Sequence, residues 1–132
     1  MKRRNDEDRH QSALFRWAAF MEAQHPVLAM LCHMPNGGKR DTALAARLKA
    51  QGVKAGYPDI LLDVPRGTFH GLRIELKAPA DEGRRAGTVQ PAQRAWLDNL
   101  AAQGFRAVVC VGWESARDEI LTYLNLGEFH AH

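Results

Sequence analysis

The chain has 132 residues, 45% of them hydrophobic and 25% charged, with a formal net charge of +3. That length suits one domain around a single core, and the balance excludes a disordered, fibrous or membrane-embedded composition. The mild basic excess permits a polyanionic partner without pointing to one.

The start, Met1 to Asp8, is densely charged and backs onto no apolar stretch, so it does not read as a signal peptide. No apolar run approaches the length of a membrane span. Residues Glu7 to Gln24 read as an amphipathic helix, with Gln11, Leu14, Ala18 and Met21 at helical spacing and His25-Pro26 as its end. Val27 to Met34 reads as a strand closed by Pro35-Asn36-Gly37-Gly38. Asp41 then suits an N-cap for a short helix, Thr42 to Gln51, stopped by Gly52. Asp59 to Val64 is the next strand, and the turn Pro65 to Gly71 returns it as Leu72 to Lys77. Pro79 to Gln90 is a loop whose expected mobile part is Asp81 to Gly87. Pro91 opens a helix to Gln103, Arg106 to Gly112 is an apolar strand, and Ser115 to Leu126 a last helix. Cys32 and Cys110 sit in apolar runs and are expected in the core; two such cysteines make no disulfide framework and no zinc spacing, which suits a reducing compartment. The predicted order, α-β-α-β-β-α-β-α, describes an α/β protein with a small mixed sheet flanked by helices.

The chemistry concentrates at the central hairpin. Glu75 and Lys77 are two apart and share a strand face, and the hairpin brings Asp59 alongside them. Charged groups beside buried strands are costly unless a cation or substrate uses them. Two carboxylates and a lysine are what metal-dependent phosphodiester hydrolysis needs: Asp59, Glu75 and the Leu76 carbonyl suit Mg²⁺ or Mn²⁺, and Lys77 suits the attacking water or the developing charge. The competing reading makes Asp59 a strand cap and Glu75-x-Lys77 a solvated strand face. Taken with the Pro58-Asp59 start of the partner strand and the helix that follows, the functional reading is preferred.

Other residues suit two roles each. Gln93 either faces the site or is plain helix surface, whereas Trp96, Leu97 and Leu100 behind it are core. Glu7, on one helix face with Gln11, suits either a third carboxylate or a favourable helix N-terminus. Asn36-Gly37-Gly38-Lys39-Arg40 suits a phosphate-backbone contact or a generic turn, without Walker spacing. Arg84 and Arg85 are phosphate contacts or solubilising charge. The six histidines show no ligand spacing, and Trp17, Trp96 and Trp113 suit core or interface anchors.

Pro58-Asp59, Glu75-Leu76-Lys77 and Gln93 in this order resemble the PD-(D/E)xK nuclease superfamily. The fuller pattern resembles its VRR-NUC branch in the small stand-alone phage and bacterial form. Leu14-Phe15-Arg16-Trp17-Ala18, Pro35 to Arg40, Gly52 to Asp59 and Gln93-Arg94-Ala95-Trp96-Leu97 carry it. The resemblance implies a restriction-endonuclease-like core and Mg²⁺- or Mn²⁺-dependent DNA cleavage. It makes Asp59 and Glu75 metal ligands, Lys77 the catalytic lysine, Gln93 its supporting glutamine and Glu7 the first-helix acid. It implies further a Holliday-junction-resolvase-like homodimer acting on branched DNA in the cytoplasm of a bacterium or a phage-infected host. A less selective nuclease, a non-catalytic DNA-binding module and a partner-dependent subunit are the alternatives.

Overall fold

A computed structural model describes residues 2–35, 42–81 and 85–131. Its elements are α1 (Lys2–Met21), a 3-10 helix (Pro26–Met30), β1 (Leu31–His33), α2 (Thr42–Ala50), β2 (Ile60–Leu62), β3 (Leu72–Lys77), α3 (Pro91–Ala102), β4 (Arg106–Val111) and α4 (Trp113–Leu124). The strands form one mixed sheet in the order β1-β2-β3-β4. The first two pairings are antiparallel and the last, β3 with β4 across the α3 crossover, is parallel. The element order is the one expected from sequence.

Two local expectations need correction. Val27 to Met34 is not one strand: Pro26, whose fixed φ suits a first helical position, opens a 3-10 helix and leaves β1 three residues. Cys32 is therefore not in the core. It sits on an edge strand that buries Leu31 and turns Cys32 outward, whereas Cys110 is buried as expected. α1 also starts earlier than expected, because Lys, Arg and Glu in the charged start are good helix formers.

The main core lies between one sheet face and the packed pair α1 and α4. Leu14 and Ala18 meet Ile60, Leu62, Leu72, Ile74 and Leu76 there, with Ala116, Ile120 and Tyr123 closing it. Each fully buried aliphatic side chain contributes about 1.5–3 kcal/mol over leaving it in water. The Tyr123 hydroxyl donates to the Val64 carbonyl at 2.7 Å, which satisfies the one polar atom it brings inside.

The other face of β3 decides the site. All six residues of β3 are buried, although Arg73, Glu75 and Lys77 alternate with the three apolar ones. α3 covers this second face, with Leu97 and Leu100 buried along it. Trp96 is half-buried rather than core: its indole N–H donates to the Ala55 carbonyl at 3.2 Å, and Tyr57 packs edge-on against it at 4.9 Å. These contacts clamp the segment before Pro58-Asp59 onto the first turn of α3. Gly56 makes the approach possible: it has φ +90°, and a Cβ there would lie 2.8 Å from the Ala92 carbonyl carbon. Gly56→Ala is expected to lower stability by about 1–3 kcal/mol in a denaturant melt. An unchanged midpoint would mean that the loop does not bear on α3 this way. Among the described residues no helix is long and apolar enough to cross a membrane.

Candidate active site

β2 is shorter than β3, and that mismatch builds the site. Pairing between them runs only to Ile60 opposite Ile74, so β3 continues past the start of β2 with an unpaired edge at Glu75 to Lys77. Asp59, one residue before β2, fills the gap: its Oδ2 accepts the Leu76 backbone N–H at 2.9 Å. A strand residue sends its N–H and C=O to the same edge, so the Leu76 carbonyl leaves β3 on the side that Asp59 occupies.

Gln93 locks the other side. It is the third residue of α3, in a capping box whose Gln90 backbone N–H donates to Gln93 Oε1 at 2.9 Å. The same oxygen accepts from Lys77 Nζ at 2.9 Å, and Gln93 Nε2 donates to Glu75 Oε2 at 3.0 Å. Two donors on the oxygen and a carboxylate on the nitrogen leave this amide a single orientation. Lys77 Nζ also lies 3.4 Å from Glu75 Oε2. The lysine, glutamate and glutamine are thus one rigid unit at the foot of a helix.

That unit is electrostatically incomplete. Glu75 is 3% exposed, and its Oε1 has no hydrogen-bond partner. Burial pushes the Glu75 carboxyl up to about 8, the adjacent Asp59 charge adds to the shift, and Lys77 opposes it. Burial raises Asp59 as well, against the lowering by the Leu76 N–H, Glu75, Lys77 and His33. One lysine therefore faces two crowded carboxyls. Between them they hold a proton near neutral pH unless a cation replaces it.

The donor set fits a hard divalent cation. Among the described residues no three His, Cys, Asp or Glu side chains converge. The protein ligands would be Asp59, Glu75 and the Leu76 carbonyl, oxygens only, with water and substrate completing the sphere. Mg²⁺ and Mn²⁺ favour such a set, and zinc does not.

Asp59, Glu75, Lys77 and Gln93 are brought together as the sequence suggested, and the alternative of a solvated Glu75-x-Lys77 face is removed by their burial. Glu7 lies nearby: a Cβ on Gly87 would be 3.3 Å from both Glu7 Oε2 and Lys77 Cδ. With Arg85 and Thr88, Glu7 and Lys77 line a hollow of about 320 Å³. Asn36, Gly37, Gly38, Lys39, Arg40 and Arg84, together with the Asp41 cap, lie outside the described residues.

The VRR-NUC domain family matches residues 3–114. The chain belongs to the VRR-NUC family. A solved structure described as a VRR_NUC domain protein is 35% identical, with a TM-score of 0.76 over 94% of this chain and 92% of that one. No match was found among curated proteins. The VRR-NUC domain is a nuclease family, and the mixed sheet with its flanking helices is a restriction-endonuclease-like core.

Sequence reading missed three neighbours of the VRR-NUC site. His33 on β1 contacts the Asp59 carbonyl through Nδ1 at 3.0 Å, and the Met34 N–H donates to the same oxygen at 2.7 Å. A carbonyl only accepts, so Nδ1 carries the proton, and β1 holds Asp59 from behind. Tyr57 accepts from Arg73 Nε at 3.0 Å, while Arg73 also pairs with Asp63 at 2.9 Å and lies 4.6 Å from the Phe105 ring centroid. The alternation Arg73-x-Glu75-x-Lys77 was the available signal for Arg73; nothing local marked His33 or Tyr57.

Proposed function

We propose that this VRR-NUC chain is a divalent-metal-dependent DNA endonuclease that hydrolyses phosphodiester bonds. The observation that carries the reading is the buried Asp59–Glu75–Lys77–Gln93 unit, whose two carboxyls lack one positive charge. Asp59 and Glu75 hold Mg²⁺ or Mn²⁺ against the Leu76 carbonyl. Bound there, the cation supplies a water of lowered pKa and neutralises a phosphate oxygen. Lys77 Nζ, fixed by Gln93, places its charge where the attacking water and the pentavalent phosphate develop negative charge. Glu7 and Arg85 border the Lys77 side of the cleft, where the chain of the substrate continues.

The preferred substrate is branched DNA, the four-way junction above all. A domain this small has little surface with which to read a long sequence, so shape is the more natural determinant. A symmetric homodimer would place two such sites to cut two strands.

A labelled panel of single-stranded, linear duplex, flap, fork and four-way junction DNA, incubated with Mg²⁺, Mn²⁺ or EDTA, tests this. Lys77→Ala serves as the control for contaminating nuclease. Paired junction cuts that need the cation and vanish in Lys77→Ala are expected. Cutting of every substrate alike would keep the nuclease and remove the junction preference. No cutting by folded protein under any condition would sink the stand-alone enzyme.

A further inference from the structure

The cleft beside Lys77 does not stop at the catalytic unit. Next to the hollow of Glu7 and Lys77 lies a second, of about 230 Å³, between Asp6, Arg9 and His10 of α1 and the segment Pro79 to Asp81 that follows β3. It shares Arg9 and His10 with a third and larger hollow of about 620 Å³, which passes Ser12 and Arg16 to end at Trp113, the first residue of α4. The three form a track along α1. From Glu7 to Arg16 it covers about 14 Å at about 1.5 Å per helical residue, or about four nucleotides at the ~3.4 Å rise of one strand.

The far end of the track is rich in hydrogen-bond donors. The Trp113 backbone N–H donates to His10 Nδ1 at 3.0 Å. That nitrogen must therefore be the bare one, and the neutral ring carries its proton on Nε2, as a donor. Arg16 and the Ser12 hydroxyl are exposed. Arg9 leans on Asp6 at 2.8 Å, yet its side chain remains 69% exposed. The Arg117 guanidinium lies 5.2 Å from the Trp113 ring centroid, adding a further cation at this end. Asp8 is the one carboxylate lining the third hollow. Exposed guanidiniums, a hydroxyl and a fixed imidazole donor in a track leading from a phosphodiester-cleaving centre match a second phosphate of the same strand.

We propose that the α1–α4 groove is a second nucleic-acid site, which holds the sugar–phosphate backbone of the substrate about four nucleotides from the scissile phosphate, with Arg9 and Arg16 as its phosphate contacts. The assignment rests on the nuclease reading above and extends it from the cut bond to the path of the flanking strand. It makes the groove a contact that lengthens the substrate footprint without reading its bases.

The test is the salt dependence of binding. In a Lys77→Ala background, which leaves the DNA uncut, the affinity for a fluorescent four-way junction is followed by anisotropy over a range of salt concentrations. Each lost phosphate contact removes about 0.9 from the slope of log K against log salt. Arg9→Gln with Arg16→Gln is therefore expected to lower the slope by about 2 and to weaken binding at every salt tested. Arg66→Gln, in the turn between β2 and β3, removes one charge outside the track and is expected to leave the slope within half a unit of the parent. Both groove positions are solvent-facing, and a thermal melt of the double variant checks its fold directly. A parent slope in the folded double variant, while the wild-type enzyme still cuts DNA, would overturn the groove and spare the nuclease. An equal fall in slope for Arg66→Gln would reduce the effect to net charge and overturn the groove as well. Wild-type protein that neither binds nor cuts any DNA would end both.

Discussion

Glu75→Gln is expected to abolish cleavage and, in the same protein, to raise stability. The loss follows from the ligand set: an amide in place of a carboxylate leaves Asp59 alone against the cation, and the Lys77 charge then has no partner to align with. Removal of one strong electrostatic element of this kind costs about 10³ in rate. The gain follows from burial. Glu75 is nearly sealed from water with one oxygen unpartnered and its carboxyl pushed up to about 8. A glutamine there keeps an oxygen for Gln93 and Lys77, offers its N–H₂ to Asp59, and has no charge to desolvate. At pH 8 without metal the variant is expected to gain about 1–2 kcal/mol, or roughly 3–8 °C in Tm. Cleavage assays beside calorimetry check both halves. Lost activity with lost stability would mean that Glu75 holds the fold together rather than waiting for a cation.

The stability of the metal-free protein is expected to fall as pH rises from about 5 to about 8. Glu75 has an ordinary carboxyl value of 4.5 and is raised to about 8 in the fold. Below the first value both folded and unfolded chains carry the proton. Between the two values only the folded chain does, so each step up in pH favours unfolding. A raised carboxyl thus contributes stability at low pH and loses it as pH climbs through the folded value. Asp59 is raised too and acts in the same direction. The slope is of order 1 kcal/mol per pH unit, and it is isolated by subtracting the pH profile of Glu75→Gln. Mg²⁺ or Mn²⁺ at 100 times its dissociation constant is expected to restore about 2.7 kcal/mol, most fully near pH 8, where no proton competes for the carboxylates. A wild type whose Tm ignores the cation at pH 8, or a Glu75→Gln variant stabilised equally by it, would contradict the proposed site.

Much of this was legible in the chain, for identifiable reasons. Strand alternation put Glu75 and Lys77 on one face, Pro91 and Gly104 bracketed α3, and the element order gave the mixed sheet. Each is a local pattern, expressed over a few bonds of backbone geometry. Where the local reading failed, a neighbour overrode it. Pro26 converted half of an apolar run into a 3-10 helix, and the edge position of β1 turned Cys32 to solvent. Trp96, apolar by type and spacing, was drawn to the loop by the Ala55 carbonyl and the Tyr57 ring.

By itself the sequence determined which residues carry the chemistry: Asp59, Glu75, Lys77 and Gln93 in their order along the chain, on the elements that hold them. Only the tertiary structure decided that these groups are buried, that Gln93 binds both Glu75 and Lys77, and that Asp59 closes the edge left by a short β2. It also decided that His10, far away in sequence, caps the start of α4 and lines a groove leading from the site. The division has one physical cause. Side-chain direction along a strand or helix is set by neighbouring backbone bonds, whereas burial, charge imbalance and pKa depend on which distant segments exclude water from the same few ångströms.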